Sequence, residues 1–178
     1  MNDVTRKDPI VVVGPPGSGK STVGKLLAEH LGVDFHDADA DIEREQGRTI
    51  SDIFATDGEP AFRAIEEETV ARGLREYTGV YALGGGAVVS DRTRERLAGY
   101  PVVFLNVGMA EGVRRTGLST ARPLLAGVNP RATYKALLEA RLPIYRSVAT
   151  VEVNTDGRKP DDIATEVAAS LARCGIPE

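Results

Sequence analysis

Residues 14 to 22 read Gly14-Pro15-Pro16-Gly17-Ser18-Gly19-Lys20-Ser21-Thr22, which fits G-x-x-x-x-G-K-[ST], between the apolar run Ile10 to Val13 and an amphipathic segment. In that strand, loop and helix context the pattern describes a phosphate-binding loop. Glycines at 14, 17 and 19 let the backbone turn tightly, so that successive N–H groups converge on one anion with no Cβ in the way. A helix opening near Gly19 adds the positive end of its dipole, Lys20 adds an ammonium, and the Ser21 hydroxyl is placed for Mg²⁺. The bland alternative is a Gly/Pro turn that happens to precede a helix, and the flanking strand and helix argue against it.

The chain of 178 residues is long enough for one domain with a proper core, and 42% hydrophobic with 27% charged residues describes an ordinary globular protein. A net charge of −4 argues against nucleic acid or an anionic membrane as the main partner, so any positive site must be local. The single cysteine, Cys174, suits a reducing cytosol and reads as a passive residue near the C-terminus. No run approaches a membrane span, and residues 1–8 read as a loose polar tail.

Ile10 to Val13 is β-branched and wholly apolar, as a strand buried on both faces would be. Val23, Leu26, Leu27, His30 and Leu31 recur at helical spacing, with Gly32 as the stop signal and His30 as a helix-end residue. Val33 to Asp37 resembles a second strand running into Ala38-Asp39. In extended chain Asp37 and Asp39 share a side, which brings both carboxylates to one cleft: one to hold Mg²⁺, the other to orient or deprotonate a hydroxyl. Two helix-capping aspartates would look the same. Elimination favours Asp37 for the metal, because the later apolar runs, Val80 to Leu83 and Val102 to Val107, carry no acid at their ends.

Asp41 to Gln46, Ser51 to Thr56 and Glu59 to Tyr77 read as helical pieces broken by Gly47 and Gly58, a substrate-holding insertion. Arg63 lies among four glutamates, where a surface salt bridge is the plain reading. Val80 to Leu83 is a third strand, and Gly84-Gly85-Gly86 at its carboxyl end admits a ligand close to backbone N–H groups, although a simple flexible turn also fits. A short helix over Asp91 to Ala98, a fourth strand over Pro101 to Val107 and a helix carrying Arg114 and Arg115 follow. Residues 117–128, around Arg122-Pro123-Leu124-Leu125, read as a lid whose arginine closes on phosphate. Asn129-Pro130 starts a helix that extends past Glu139 and carries Arg141 and Arg146 near its end; Thr150 to Asn154 is a fifth strand, and Pro160 to Arg173 a closing helix.

With these motifs in this order the chain resembles the shikimate kinases, over roughly Ile10 to Leu171. The resemblance rests on the phosphate loop running into Val23-Gly24, on Asp37-Ala38-Asp39, and on Gly58-Glu59 with Phe62-Arg63 and Glu66. It continues through Leu83 to Ala87, Arg122 to Leu125, and Arg141, Pro143 and Tyr145. The one departure, a Pro15-Pro16 pair, is expected to touch no site contact. The likeness implies a P-loop NTPase-type three-layer α/β sandwich, with a five-stranded parallel sheet in the order 2-3-1-4-5, a substrate-binding helical region at about 38–66 and a lid at about 117–128. It also implies transfer of the ATP γ-phosphoryl group to the 3-hydroxyl of shikimate, on the route to chorismate and the aromatic amino acids.

Carried over residue by residue, Gly17, Ser18, Gly19, Lys20, Ser21 and Thr22 would bind nucleotide, and Ser21 and Asp37 would serve Mg²⁺. Asp39 would hold and prepare the shikimate hydroxyl, Arg63 and Arg141 would clamp its carboxylate, and Gly84, Gly85 and Gly86 would supply backbone donors. Lys20 and Arg122 would hold the transferring phosphate; Arg115 and Arg158 would border the adenine. A cytoplasmic monomer with ATP and shikimate as its partners completes the expectation. The rivals are another small-molecule kinase on the same scaffold, such as a gluconate or nucleoside monophosphate kinase, and a non-catalytic nucleotide-binding module.

Overall fold

The computed structural model describes residues 8–116 and 129–176. The tail assigned to residues 1–8 lies outside these apart from Asp8, as does the lid with Arg122. Five parallel strands, β1 (Ile10–Val13), β2 (Phe35–Asp37), β3 (Val80–Ala82), β4 (Val102–Asn106) and β5 (Val151–Asn154), form one sheet in the order β2-β3-β1-β4-β5. The α-helices are α1 (Lys20–Leu31), α2 (Ala38–Gln46), α3 (Ile50–Asp57), α4 (Glu59–Glu76), α5 (Asp91–Leu97), α6 (Met109–Thr116), α7 (Pro130–Val148) and α8 (Pro160–Arg173), with one 3₁₀ turn at Ala87–Val89.

The period of two in a strand splits the core. Ile10 and Val12 on β1 pack with Val23 and Leu27 of α1 and with Ile163, Val167 and Leu171 of α8. Val11 and Val13 point the other way, to Val70 and Leu74 of α4, Leu97 of α5 and Tyr145 of α7. Val11, Val12 and Val13 are at most 1% exposed, so each stabilises the fold by about 1.5–3 kcal/mol relative to a solvated side chain. That two-sided burial is why the run carries no alternation. A third, small cluster of Ile42, Ile53 and Phe62 holds α2, α3 and the start of α4 to one another.

Helix ends follow local chemistry. Gly32 and Gly47 close α1 and α2 in the left-handed conformation, and the Asn129 side chain accepts from the Ala132 N–H ahead of Pro130. The expected second strand, Val33 to Asp37, begins two residues later, at Phe35, because the Val33 N–H donates to the Ala28 carbonyl in the turn that closes α1; α2 then begins at Ala38, immediately after Asp37.

Strand order positions the site. From β1 the chain passes to β2 on one side of the sheet, whereas from the neighbouring β3 it passes to β4 on the other. The loops leaving β1 and β3 diverge there and open a crevice at the strands' carboxyl ends. Those loops are the phosphate-loop sequence and the triple glycine.

Candidate active site

A cleft of about 420 Å³ occupies this crevice, with Lys20, Ser21, Asp37, Asp39, Arg63 and Arg141 among its walls. On one side lies the loop of residues 14–19. Gly17 and Gly19 adopt φ of +81° and +89°, and no side chain caps the first turn of α1. The N-terminal N–H groups of that helix are therefore left for a ligand, and an anion satisfies them best. Lys20 Nζ donates to the Pro15 carbonyl at 3.1 Å, which holds the ammonium along the loop. Ser18 is fully buried beneath the loop and its N–H donates to Pro15, so its side chain does not reach the cleft.

Asp37 ends β2 and caps α2: Oδ1 accepts from the Asp39 N–H at 2.9 Å and from the Ala40 N–H at 3.3 Å, while Oδ2 accepts from Ser21 Oγ at 2.7 Å. The capping and functional readings of this aspartate thus describe two oxygens of one carboxylate. The two aspartates do not meet through extended chain, as the spacing suggested. Asp39 stands in the first turn of α2, and the turn carries its carboxylate back over Gly84. Burial, with Asp37 and Glu66 adding repulsion and Lys20 opposing it, pushes the Asp39 carboxyl up to about 7.

The triple glycine makes room for side chains. A Cβ on Gly84 would lie 2.7 Å from Asp39 Oδ1 and 2.8 Å from Glu66 Oε2. One on Gly86 would lie 2.5 Å from both terminal nitrogens of Arg63. Gly85 faces Pro16, whose ring its Cβ would meet at 3.2 Å. The sequence points to these glycines as donors to a ligand and does not show that they make room for Asp39, Glu66 and Arg63.

Arg63 is not a surface ion-pair residue alone. Its Nη1 donates to the buried Glu66 at 2.7 Å, and its Nε to the more exposed Glu59 at 3.4 Å. Burial raises the Glu66 carboxyl, with Arg63 and Arg141 working against the rise. Arg141 comes from α7, and Phe54 and Phe62 supply apolar wall beside the two arginines. Two guanidiniums near an apolar wall suit a small carboxylate with a hydrocarbon body.

Pro16, expected to touch no site contact, lines the cleft, packs on Gly85 and accepts a hydrogen bond at its carbonyl from Tyr134 Oη at 2.7 Å. Arg115 reaches the cleft, but its guanidinium also ties three segments together. It donates to Glu111 Oε1 at 2.9 Å, the Gly17 carbonyl at 3.2 Å, and Thr155 Oγ1 and carbonyl at 3.0 and 2.7 Å. Arg158 does not line the cleft; it donates to the Asn154 carbonyl at 3.1 Å and pairs with Glu166. Leu137, Phe54 and Ile50 line the cleft without having been singled out for it. The spacing of Leu137 from Arg141, one helical turn, was the available signal.

The shikimate kinase family pattern matches residues 16–172. A shikimate kinase of Saccharopolyspora erythraea is 66% identical over 157 residues, covering 88% of this chain and 90% of that protein. Among solved structures, shikimate kinase from Acinetobacter baumannii in complex with shikimate superposes with a TM-score of 0.92 at 36% identity, covering 96% of each chain. A gluconokinase from Sinorhizobium meliloti reaches a TM-score of 0.51 at 22% identity over 95% of this chain and 94% of its own, a likeness of fold alone.

Proposed function

The chain belongs to the shikimate kinase family, and from that membership we propose that this cleft transfers the γ-phosphoryl group of ATP to the 3-hydroxyl of shikimate with the residues just described. The observation that carries the assignment of roles is convergence: a phosphate-type loop, a recessed carboxylate and two arginines from separate elements face one space. Gly17, Gly19, Lys20, Ser21 and Thr22 hold the phosphates through backbone N–H groups and the α1 dipole, Ser18 completes the loop beneath them, and Lys20 neutralises the transferring oxygens. Ser21 Oγ and Asp37 Oδ2 are adjacent hard oxygens of the kind Mg²⁺ accepts when it keeps most of its waters, so these two residues would hold it. The ion, when bound, supplies charge neutralisation between the phosphates.

Arg63 and Arg141 clamp the shikimate carboxylate, with Glu66 fixing the Arg63 fork. Asp39 accepts from the hydroxyl and aims its oxygen in line with the phosphorus; near a pKa of 7 it is poised to take the proton as the bond forms. Little covalent chemistry is asked of the protein, because positioning and neutralisation account for most catalysis of phosphoryl transfer. The helical region at 38–66, whose own small core is formed by Ile42, Ile53 and Phe62, carries Asp39 and Arg63 as the acceptor side. Arg122 on a lid at 117–128, and Arg115 and Arg158 beside the adenine, complete the proposal. So do a monomeric state and a cytoplasmic location; no helix among the described residues is long and apolar enough to cross a membrane.

An ADP-release assay offering shikimate, gluconate and AMP in turn tests the reading. Release dependent on shikimate alone is expected; release with gluconate or AMP instead would overturn the acceptor, and nucleotide binding without any release would favour a non-catalytic module. Arg63→Ala and Arg141→Ala separate the arms of the site. Each is expected to raise KM for shikimate about 10- to 100-fold, the worth of one charge-assisted pair, while KM for ATP stays near its original value. A parallel rise in both constants would signal general loss of structure.

A further inference from the structure

Helix α7 carries two buried tyrosines, Tyr134 and Tyr145, each 1% exposed, and both hydroxyls donate to backbone carbonyls in the two glycine-rich loops. Tyr134 Oη reaches the Pro16 carbonyl at 2.7 Å, and Tyr145 Oη reaches the Gly85 carbonyl at 2.5 Å. Tyr134, Leu137, Arg141 and Tyr145 follow one another at steps of three, four and four residues, which is one face of a helix. Between the tyrosines, eleven residues apart and so separated by about 16 Å of helix, that face presents Leu137 and Arg141 to the cleft.

We propose that Tyr134 and Tyr145 are positioning residues that set the peptide planes of the donor-side and acceptor-side loops independently, Tyr134 aiming the Gly17 N–H and Tyr145 aiming the Gly86 N–H; this rests on the reading of the cleft as a shikimate kinase site. In a trans peptide the C=O and the following N–H point in opposite directions. A hydroxyl that holds the Pro16 carbonyl therefore turns the Gly17 N–H to the other side, and the hold on Gly85 does the same for Gly86. Neither tyrosine lines the cleft, whereas both Gly17 and Gly86 do. Among the described residues neither N–H donates to another protein group, so both remain for ligands. Each tyrosine is held by its surroundings: Tyr134 lies so close over Gly112 that a Cβ there would be 2.1 Å from Oη, and Tyr145 stacks on Phe104 with ring centroids 5.0 Å apart. Glycine loops without such holds have many accessible peptide orientations. Contact between Pro16 and Gly85 brings the two loops together, and one helix behind both ties the spacing across which phosphorus must travel to its two tyrosines.

The test is steady-state kinetics of Tyr134→Phe and Tyr145→Phe, with folding followed by circular dichroism. Tyr145→Phe is expected to raise KM for shikimate about 2- to 10-fold, the worth of one neutral hydrogen bond, and to leave KM for ATP unchanged; Tyr134→Phe is expected to do the reverse. Equal changes in both constants, or a loss of thermal stability with neither constant moved, would overturn the assignment. Where a Phe variant does not fold, 3-fluorotyrosine at that position keeps the ring and makes the hydroxyl a stronger donor; a shift confined to one KM supports the inference, and none refutes it. Wild-type protein that releases no ADP with shikimate sinks the functional reading, a result distinguishable from any of these.

Discussion

Replacing Asp39 with Asn is expected to lower kcat for shikimate phosphorylation by about 10²–10⁴-fold, the range for loss of a positioned general base, while ADP binding is retained. Asn keeps the shape and one acceptor oxygen but takes no proton. A kcat within tenfold of wild type would remove Asp39 from the mechanism. The same substitution should stabilise the protein, in a pH-dependent way. The Asp39 carboxyl titrates near 7 in the folded chain and near its ordinary 3.8 when unfolded, so its ionised form is penalised by folding. Well below pH 3.8 the group is neutral in both states and the penalty is absent; it grows as pH rises through 3.8 and is complete above 7. At ~1.4 kcal/mol per unit, the ceiling is about 4 kcal/mol. Thermal melts of the Asn variant should therefore match wild type near pH 3 and exceed it by several degrees at pH 8. A constant difference across that range would mean that the carboxylate is not held against its preference for water.

The elements of this fold whose signals are local were legible before any coordinates. Ile10 to Val13 announces a doubly buried strand because every side chain has an apolar partner, and Asn129-Pro130 announces a helix start because the cap is made within three residues. The cleft was legible to the extent that it rests on loop chemistry: glycines turn the backbone immediately ahead of α1, and Lys20 and Ser21 stand in the first turn of that helix. Asp37 and Asp39 reached the right cleft by the wrong geometry, since extended-chain spacing and the first turn of a helix can both bring residues i and i+2 near one space.

What stayed hidden depends on partners distant in sequence. Tyr134 and Tyr145 accept their roles from carbonyls 118 and 60 residues away. No periodicity within α7 names those carbonyls. Arg115 looks like an ordinary helix-end arginine until Gly17 and Thr155 are folded against it. The triple glycine signals close approach and reads as room for a ligand; only tertiary structure says that Asp39, Glu66 and Arg63 approach it too. Pro16 was misjudged because its ring and carbonyl act in different directions, one on Gly85 and one on Tyr134.

Gly73→Ala shows how far such contacts outweigh local preference. Gly73 lies within α4, where Ala is favoured over Gly by about 1 kcal/mol, so propensity alone expects a more stable protein. Yet a Cβ at that position would lie 2.4 Å from Tyr81 Cζ and Oη and 2.5 Å from Cε1. Tyr81 is fully buried in β3, in register with His36 on β2 and Val11 on β1, and its hydroxyl donates to the Thr69 carbonyl at 3.3 Å. The ring has no solvent to swing into, so helix or sheet must yield, and overpacking of a filled core is destabilising by about 1–3 kcal/mol or more. Loss of the hydroxyl's bond in the apolar interior adds about 1 kcal/mol. Set against the propensity gain, a net destabilisation of about 1–3 kcal/mol is expected, read as a fall in Tm of about 2–12 °C for a chain of this size. Because β3 leads directly into Gly84, movement of Tyr81 should also raise KM for shikimate, and the double variant Gly73→Ala with Tyr81→Phe should recover part of both losses. A rise in Tm on Gly73→Ala would show that α4 stands further from the sheet than its contact with Tyr81 requires.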